Sequence, residues 1–308
     1  MSCTVYLSFL AGFGFLLIGT RSLRGSLEAT SRSWLASAVN LLTANPVTGA
    51  ITSTVLTALI QSSSAVSVMA IGLADSGVIS LHQALSIVLG ANVGTTFTIQ
   101  LLALNWWHFS SFVILAGLGL VLLGSPKIKM LGVALGSFGL ILYGLDLMAQ
   151  AALHISTLPW FQAYLTAAEE SAWHAIAIGA IASALVQSST VVTAAVVTLS
   201  TQALLSLPTA VSLVLGGNIG TCVTAVIASL GGGTKARQVA LSHVLLNVLG
   251  VLALYPVLPA FVIFISNTAN TLPHQVANAH TFFNLISSLA ALPMVNGLSS
   301  LLHRLIPD

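Results

Sequence analysis

Thr57-Ala-Leu-Ile-Gln-Ser-Ser-Ser64 and Ser183-Ala-Leu-Val-Gln-Ser-Ser-Thr190 are near copies of one another, set 126 residues apart. Leu89-Gly-Ala-Asn-Val-Gly-Thr95 and Leu215-Gly-Gly-Asn-Ile-Gly-Thr221 repeat at the same offset. Residues 55–100 align with 181–226 without a gap, with about 18 identities in 46 positions. That is too many for a shared taste for Leu, Ala and Val. Upstream, Phe13-Gly-Phe-Leu-Leu-Ile-Gly19 is echoed by Phe138-Gly-Leu-Ile-Leu-Tyr-Gly144, at an offset of 125. Two copies of one unit make up most of the chain.

The unit is built for lipid. Of 308 residues, 56% are hydrophobic and only 5% charged, and the mean hydropathy is +1.02. A water-facing domain would carry about a quarter charged residues. Apolar stretches near the roughly 20 residues of a membrane-spanning helix recur from residue 4 to residue 302. An all-α polytopic membrane protein is expected. The formal charge of +2 is too small to imply a nucleic-acid partner. Cys3 and Cys222 lack metal-type spacing and read as packing residues. Met1 to Thr4 lacks the basic region of a cleaved signal, so the first apolar run is expected to stay as a membrane helix.

The copies divide the chain into repeat 1 (1–126), repeat 2 (127–252) and a C-terminal membrane segment (253–308). Repeat 1 holds a Gln-Ser-Ser hairpin at 46–75 and Gly-Ala-Asn-Val-Gly-Thr-Thr at 90–96. Repeat 2 holds its hairpin at 172–201 and Gly-Gly-Asn-Ile-Gly-Thr-Cys at 216–222. Cytoplasmic loops collect Lys and Arg. Arg21, Arg24 and Arg32 follow the first helix, whereas the matching stretch of repeat 2 holds Asp146, Glu169 and Glu170. Lys235 and Arg237 follow the second motif, whereas residues 105–111 are uncharged and carry Trp106 and Trp107. Equivalent loops differ in sign, which predicts two inverted-topology repeats with the N-terminus outside.

Gln61, Ser62, Ser63 and Ser64, with Gln187, Ser188, Ser189 and Thr190, set four consecutive polar side chains in apolar runs. Single serines cement helix packing. Four in a row point in different directions around a helix, so a local helix break is expected. Asn92, Gly94, Thr95 and Thr96, with Asn218, Gly220 and Thr221, flank a Gly-x-Asn-x-Gly-Thr element read as a second helix interruption, glycine permitting the tight backbone. Close helix packing is the alternative. Broken helices at the centre of a repeat are the sequence pointer to a transport site. Half-helix N-termini suit an anion, and freed oxygens suit a small cation. No Lys or Arg occurs between Arg32 and Lys127 or between Lys129 and Lys235, so an anion at the motifs is expected to rely on helix dipoles and co-bound cations.

At these residues the chain resembles the type II sodium-phosphate cotransporter family, marked by two Gln-Ser-Ser motifs, each followed by Gly-x-Asn-x-Gly-Thr. Gln238-Val-Ala-Leu-Ser-His-Val-Leu-Leu-Asn247 looks like the family's segment after the second motif. The resemblance covers most of the chain. It implies inverted repeats with re-entrant helical hairpins and broken transmembrane helices, and Na+-coupled movement of inorganic phosphate through a multi-pass protein of a bacterial inner membrane. It places Na+ and phosphate among the residues just named, with Na+ at the Gln-Ser-Ser motifs and no other cofactor. Residues 101–127 contain no acid where electrogenic vertebrate members have an Asp associated with an extra sodium, so stoichiometry stays open. Direction of transport stays open too, as does oligomeric state, with a homodimer among the options. Some bacterial relatives carry a cytoplasmic regulatory domain, and this chain ends soon after its membrane part.

His243 with Asn247 and His280 with Asn284 form two His-x-x-x-Asn pairs 37 residues apart. They read as helix-fastening hydrogen bonds, or else as support behind the site or a protonation switch. Asp75 reads as a turn residue and Asp146 as interfacial. Trp106, Trp107, Trp160 and Trp173 read as an interface belt. A sodium-coupled dicarboxylate carrier is the runner-up. An intramembrane serine hydrolase could recruit Ser76 and His243, but no Gly-x-Ser-x-Gly nucleophile turn is present, and an enzyme is not expected.

Overall fold

The computed structural model describes residues 3–104 and 106–307, with residues 3 and 28–44 as backbone only. The side chains of Cys3 and Arg32 and the residue at 105 lie outside the described residues. The described chain is helical throughout, with short 3₁₀ turns. Six of its helical stretches are long and apolar enough to cross a bilayer: Thr4–Leu27, Leu81–Ala103, Pro126–Ile155, Leu207–Ser229, Thr234–Ser266 and Leu272–Leu305.

Helix α1 (Cys3–Ala44) is followed by α2 (Pro46–Ile60), α3 (Ser63–Asp75), α4 (Leu81–Ala103), α5 (Ser110–Leu123) and α6 (Pro126–Ile155). The second half continues with α7 (Pro159–Glu170), α8 (Ala172–Val186), α9 (Ser189–Thr201), α10 (Leu207–Gly220) and α11 (Val223–Ser229). Helices α12 (Thr234–Leu254), α13 (Leu258–Ser266), α14 (Leu272–Ala291) and α15 (Val295–Leu305) complete it. Helices α2, α3 and α4 start at 46, 63 and 81, and α8, α9 and α10 at 172, 189 and 207, each 126 residues later. Local chemistry explains the starts. Asn45 closes a capping box with Thr48 ahead of Pro46, Ser80 closes one with Gln83, and the Ser206 hydroxyl accepts from the Thr209 N–H. Each satisfies amide donors that a helix N-terminus otherwise leaves unpaired.

Helices α2 and α3 contain 15 and 13 residues, about 22 and 20 Å at 1.5 Å per residue, short of the roughly 30 Å hydrocarbon core. Ser53 bonds to the Ile87 carbonyl and Thr54 to that of Gly90, while Gln61 meets Thr98. Contacts that advance together along both helices make α2 and α4 parallel. The interruption expected at Gly90–Thr96 is not there: α4 runs unbroken through it. In repeat 2 the chain only loosens at Thr221 and Cys222, between α10 and α11. The glycines serve close packing instead, for a Cβ at Gly90 would stand 2.0 Å from the Ala50 carbonyl oxygen and one at Gly216 1.9 Å from that of Ile176.

Helices α1 and α6, which carry the echoed Phe-Gly segments, pack on each other antiparallel. Gly12 meets Gly144 and Met148, and Gly19 meets Ser137 and Ile141. Pro256 and Pro293 lie in 3₁₀ turns, Tyr255–Val257 and Leu292–Met294, that interrupt the last two spans, as a missing N–H and a ring clash require.

Hydrogen bonds fix which segments share an end of the molecule. The Asp75 carboxylate accepts from the Gly233 N–H at 3.0 Å, and the Gln238 amide donates to the Ile306 carbonyl at 2.7 Å. Lys235, Arg237 and Arg304 therefore gather at one end, beside the turn that follows α3. One span away, at the start of α10, the Ser206 N–H and hydroxyl donate to Glu169 at 3.0 and 2.6 Å. Burial alone would raise the Glu169 pKa, but the bonds from Ser206 and Thr209 outweigh it and hold the carboxyl below its ordinary value. Trp106, Trp160 and Trp173 are about half exposed, as an interface belt requires, but Trp107, at the start of a 3₁₀ turn, is buried in the cluster that includes Leu102, Ala103 and Ala134. Asp146 accepts from the Gln150 amide one turn on.

Candidate functional site

Helix α2 stops because Gln61 adopts the left-handed conformation (φ 60°, ψ 31°), and α3 starts because the Ser62 hydroxyl accepts from the Ala65 N–H at 3.1 Å. Repeat 2 does the same. Gln187 sits at φ 57°, ψ 31°, and Ser188 caps α9 through the Val191 N–H at 3.3 Å. For a residue with a Cβ, that backbone costs about 1–2 kcal/mol. Gln-Ser is thus a stop-and-restart signal, and the predicted helix break is present twice.

The two breaks, 126 residues apart in sequence, face one another across a single cavity of about 670 Å³. Gln61, Ser62, Ser63 and Ser64 line it from one side, and Gln187, Ser188, Ser189 and Thr190 from the other. Both restarting helices, α3 and α9, bring their N-termini to this space. Such ends carry about half a positive charge each and present free N–H groups. The Gln61 amide is fixed at the tip, donating to the Ala58 carbonyl at 2.6 Å and accepting from the Thr98 hydroxyl. Gln187 is exposed to the cavity. Beneath it a narrow, mostly aliphatic pocket walled by Leu16, Leu23, Leu102 and Ile141 also takes in Thr20, Gln61, Thr98 and Thr190, whose neutral oxygens are of the kind that replaces water around a small hard cation.

The second motif divides. Thr221 lines the cavity, while Asn92, Gly94, Thr95, Thr96, Asn218 and Gly220 do not. Thr95 and Thr96 bond to the Ala91 and Val93 carbonyls, and Asn218 to that of Val214. Asn92 donates to Asn247 at 3.4 Å, joining α4 to α12. The paired asparagines Asn247 and Asn284 donate to the carbonyls of His243 and His280, one turn back in their own helices. Both imidazoles are fully buried, without a hydrogen-bond partner among the described residues. Ser76 bonds to the Leu73 carbonyl at the exposed end of α3, so it forms no nucleophile pair with buried His243. Cys222 is buried against the Asn218 and His243 carbonyls, in keeping with a packing role.

Sequence reasoning missed four cavity residues and one contact beneath. Arg21 and Arg24, with Thr20, reach the wall from α1, so the expectation of a site without basic side chains is overturned. The gap in basic residues along the chain hid them, because α1 is remote in sequence from both motifs. Thr98 and Thr224 are the others, the first touching Gln61 and the second lining the cavity. The signal was available: they are identical residues at the repeat offset of 126, three positions after Thr95 and Thr221.

The sequence profile of the family described as Na+/Pi-cotransporter matches residues 15–150 and again 152–290. An uncharacterized protein of Bacillus subtilis, YqeW, is 33% identical over 98% of this chain and 99% of its own length. The "Putative inorganic phosphate export protein YjbB" of Escherichia coli O157:H7 is 30% identical over 82% of this chain, which covers 47% of that protein. The sheep "Sodium-dependent phosphate transport protein 2A" is 39% identical over 28% of this chain and 14% of its own length. The chain thus spans nearly the whole of the first and about half of the second. No solved structure matches it.

Proposed function

Because the chain belongs to the Na+/Pi-cotransporter family, a family of transporters and not of enzymes, we propose that it is a sodium-coupled secondary transporter of inorganic phosphate, working by alternating access around the cavity between the two Gln-Ser-Ser breaks. The observation that carries this reading is the meeting of two equivalent helix breaks, 126 residues apart, on one space. An oxyanion fits the N-termini of α3 and α9 with the hydroxyls of Ser62–Ser64 and Ser188–Thr190. A sodium ion fits the oxygens of Gln61, Thr98, Thr190 and Thr20 in the narrower pocket. Each ion lowers the electrostatic cost of the other, which is the physical content of coupling.

In the proposed inverted arrangement, repeat 1 and repeat 2 cross the membrane in opposite senses. Antiparallel α1 and α6, helix starts at a constant offset, and basic residues at the end opposite Glu169 support it. Reagents confined to one side of a membrane check it. A cysteine at Arg237 should react from the cytoplasmic face and one at Glu169 from the outer face. Labelling of both from one side would refute inversion.

Coupling is tested in proteoliposomes carrying an imposed sodium gradient. Labelled phosphate should accumulate with sodium and fall to background when potassium or choline replaces it. Equal uptake in potassium would remove the coupling, and sodium-driven uptake of succinate in place of phosphate would favour a dicarboxylate carrier.

A further inference from the structure

The central cavity adjoins a second of about 630 Å³, and the two share Arg24, Ser64, Gln187 and Thr224. The second cavity runs along α3 to Met69 and along α11 to Ala228. Those helices lead to Asp75 and Ser229, hence to the end where Asp75 meets Gly233 and where Lys235, Arg237 and Arg304 gather. The space between the Gln-Ser-Ser tips therefore opens toward the basic end. Any anion arriving from that end passes Arg24 at the junction before it reaches the helix N-termini.

Leu17, Thr20, Arg21 and Arg24 line the central cavity at spacings that put them on one stripe of α1. The stripe cannot easily rotate away, because Gly12 and Gly19 lock the preceding turns onto α6. Ionisable side chains in a membrane span face a cavity or the bundle interior and mark ion paths. Arginine adds a planar fork of donors that matches an oxyanion in two-bond geometry, which lysine cannot reproduce.

We infer that Arg21 and Arg24 form an oxyanion-binding station on the open side of the cavity, which captures the anion and passes it to the N-termini of α3 and α9. This rests on the transport reading above but needs only that the cargo be an oxyanion. Arg24 is the outer member, shared by both cavities, and Arg21 the inner one, next to Thr20, which also borders the narrow pocket beneath. The station adds guanidinium donors and positive charge to the partial charges of the helix ends, so an approaching anion meets attraction ahead of the neutral tetrads.

Binding of labelled orthophosphate, and separately of labelled succinate, by the purified full chain in sodium measures the inference directly. Losing a hydrogen bond to a charged group should weaken binding at least about tenfold per arginine. Arg21→Gln and Arg24→Gln should each show that loss, with a flatter dependence on salt concentration, since the steering charge is gone. Arg21→Lys and Arg24→Lys should keep the salt dependence while regaining only part of the affinity, an outcome that a purely structural role would not give. Size-exclusion profiles matching wild type identify the variants that count. Unchanged orthophosphate affinity and salt dependence in the Arg21→Gln/Arg24→Gln double variant would overturn the station and leave the phosphate reading standing. Binding of succinate in place of orthophosphate, lost in the same variants, would keep the station and remove phosphate as cargo. Binding of neither by wild type would overturn both.

Discussion

Gln187→Ala should cut sodium-dependent phosphate uptake by about a hundredfold or more, while the purified protein stays monodisperse and melts at the wild-type temperature. A loss of that size is about 2.7 kcal/mol, within the range for a hydrogen bond to a charged group. The Gln187 amide is exposed to the cavity, and no hydrogen bond from it is found among the described residues, so its removal strips a binding group without disturbing packing. Gln61→Ala should lose as much transport and also some stability, on the order of 1–3 kcal/mol, because it strands the Ala58 carbonyl and the Thr98 hydroxyl. Glycine at either position separates amide from backbone. It relaxes the left-handed conformation, so Gln187→Gly should be at least as stable as wild type and equally inactive. Ser67, buried on α3 with no hydroxyl partner among the described residues, should accept Ala with transport intact, since removing an unsatisfied polar atom costs little. Near wild-type uptake and sodium affinity in both Gln61→Ala and Gln187→Ala would make the paired tetrads packing features and would end the site assignment.

The tetrads were legible because their chemistry is local. A glutamine followed by a capping serine inside an apolar run tells the backbone to stop and restart whatever packs around it, and the repeat showed that it happens twice. Asn45, Ser80 and Ser206 start their helices by the same kind of local chemistry. What stayed hidden depends on partners that no local pattern specifies. Gly90 and Gly94 can break a helix or bring another helix close, and only the presence of the α2 carbonyls decides for closeness. Arg21 and Arg24 are distant in sequence from both motifs, yet α1 lies against α2 and α6 and delivers them to the space between. Trp107 resembled its neighbour Trp106 in sequence and differs in joining the buried cluster that includes Leu102 and Ala103.

Gly216→Ala and Gly90→Ala should destabilise the protein more than most single substitutions on its helices, and the way they fail separates the two readings of the Gly-x-Asn-x-Gly-Thr element. Were these glycines hinges, alanine would favour the helix by about 0.5–1 kcal/mol and would stop transport in a well-folded protein. They are instead contact points. An added Cβ at Gly216 would lie 1.9 Å from the Ile176 oxygen and 2.8 Å from its carbonyl carbon, and one at Gly90 would lie 2.0 Å from the Ala50 oxygen. Backbone atoms cannot rotate aside as a side chain can, so α8 or α2 must move off bodily. Overpacking typically costs about 1–3 kcal/mol and occasionally more, and a clash with rigid backbone belongs at the upper end. The expected result is a melting temperature lowered by several degrees or a loss of monodisperse protein. Any transport defect should come together with the loss of stability, because the tips at Gln61 and Gln187 ride on the displaced helices. Gly72→Ala and Gly119→Ala are the controls: nothing lies within 4 Å of an added Cβ at either, so both should fold and melt at or slightly above the wild-type temperature. A Gly216→Ala protein that melts like wild type and has lost only transport would restore the hinge reading and remove the close packing of α8 on α10 as the reason for the motif.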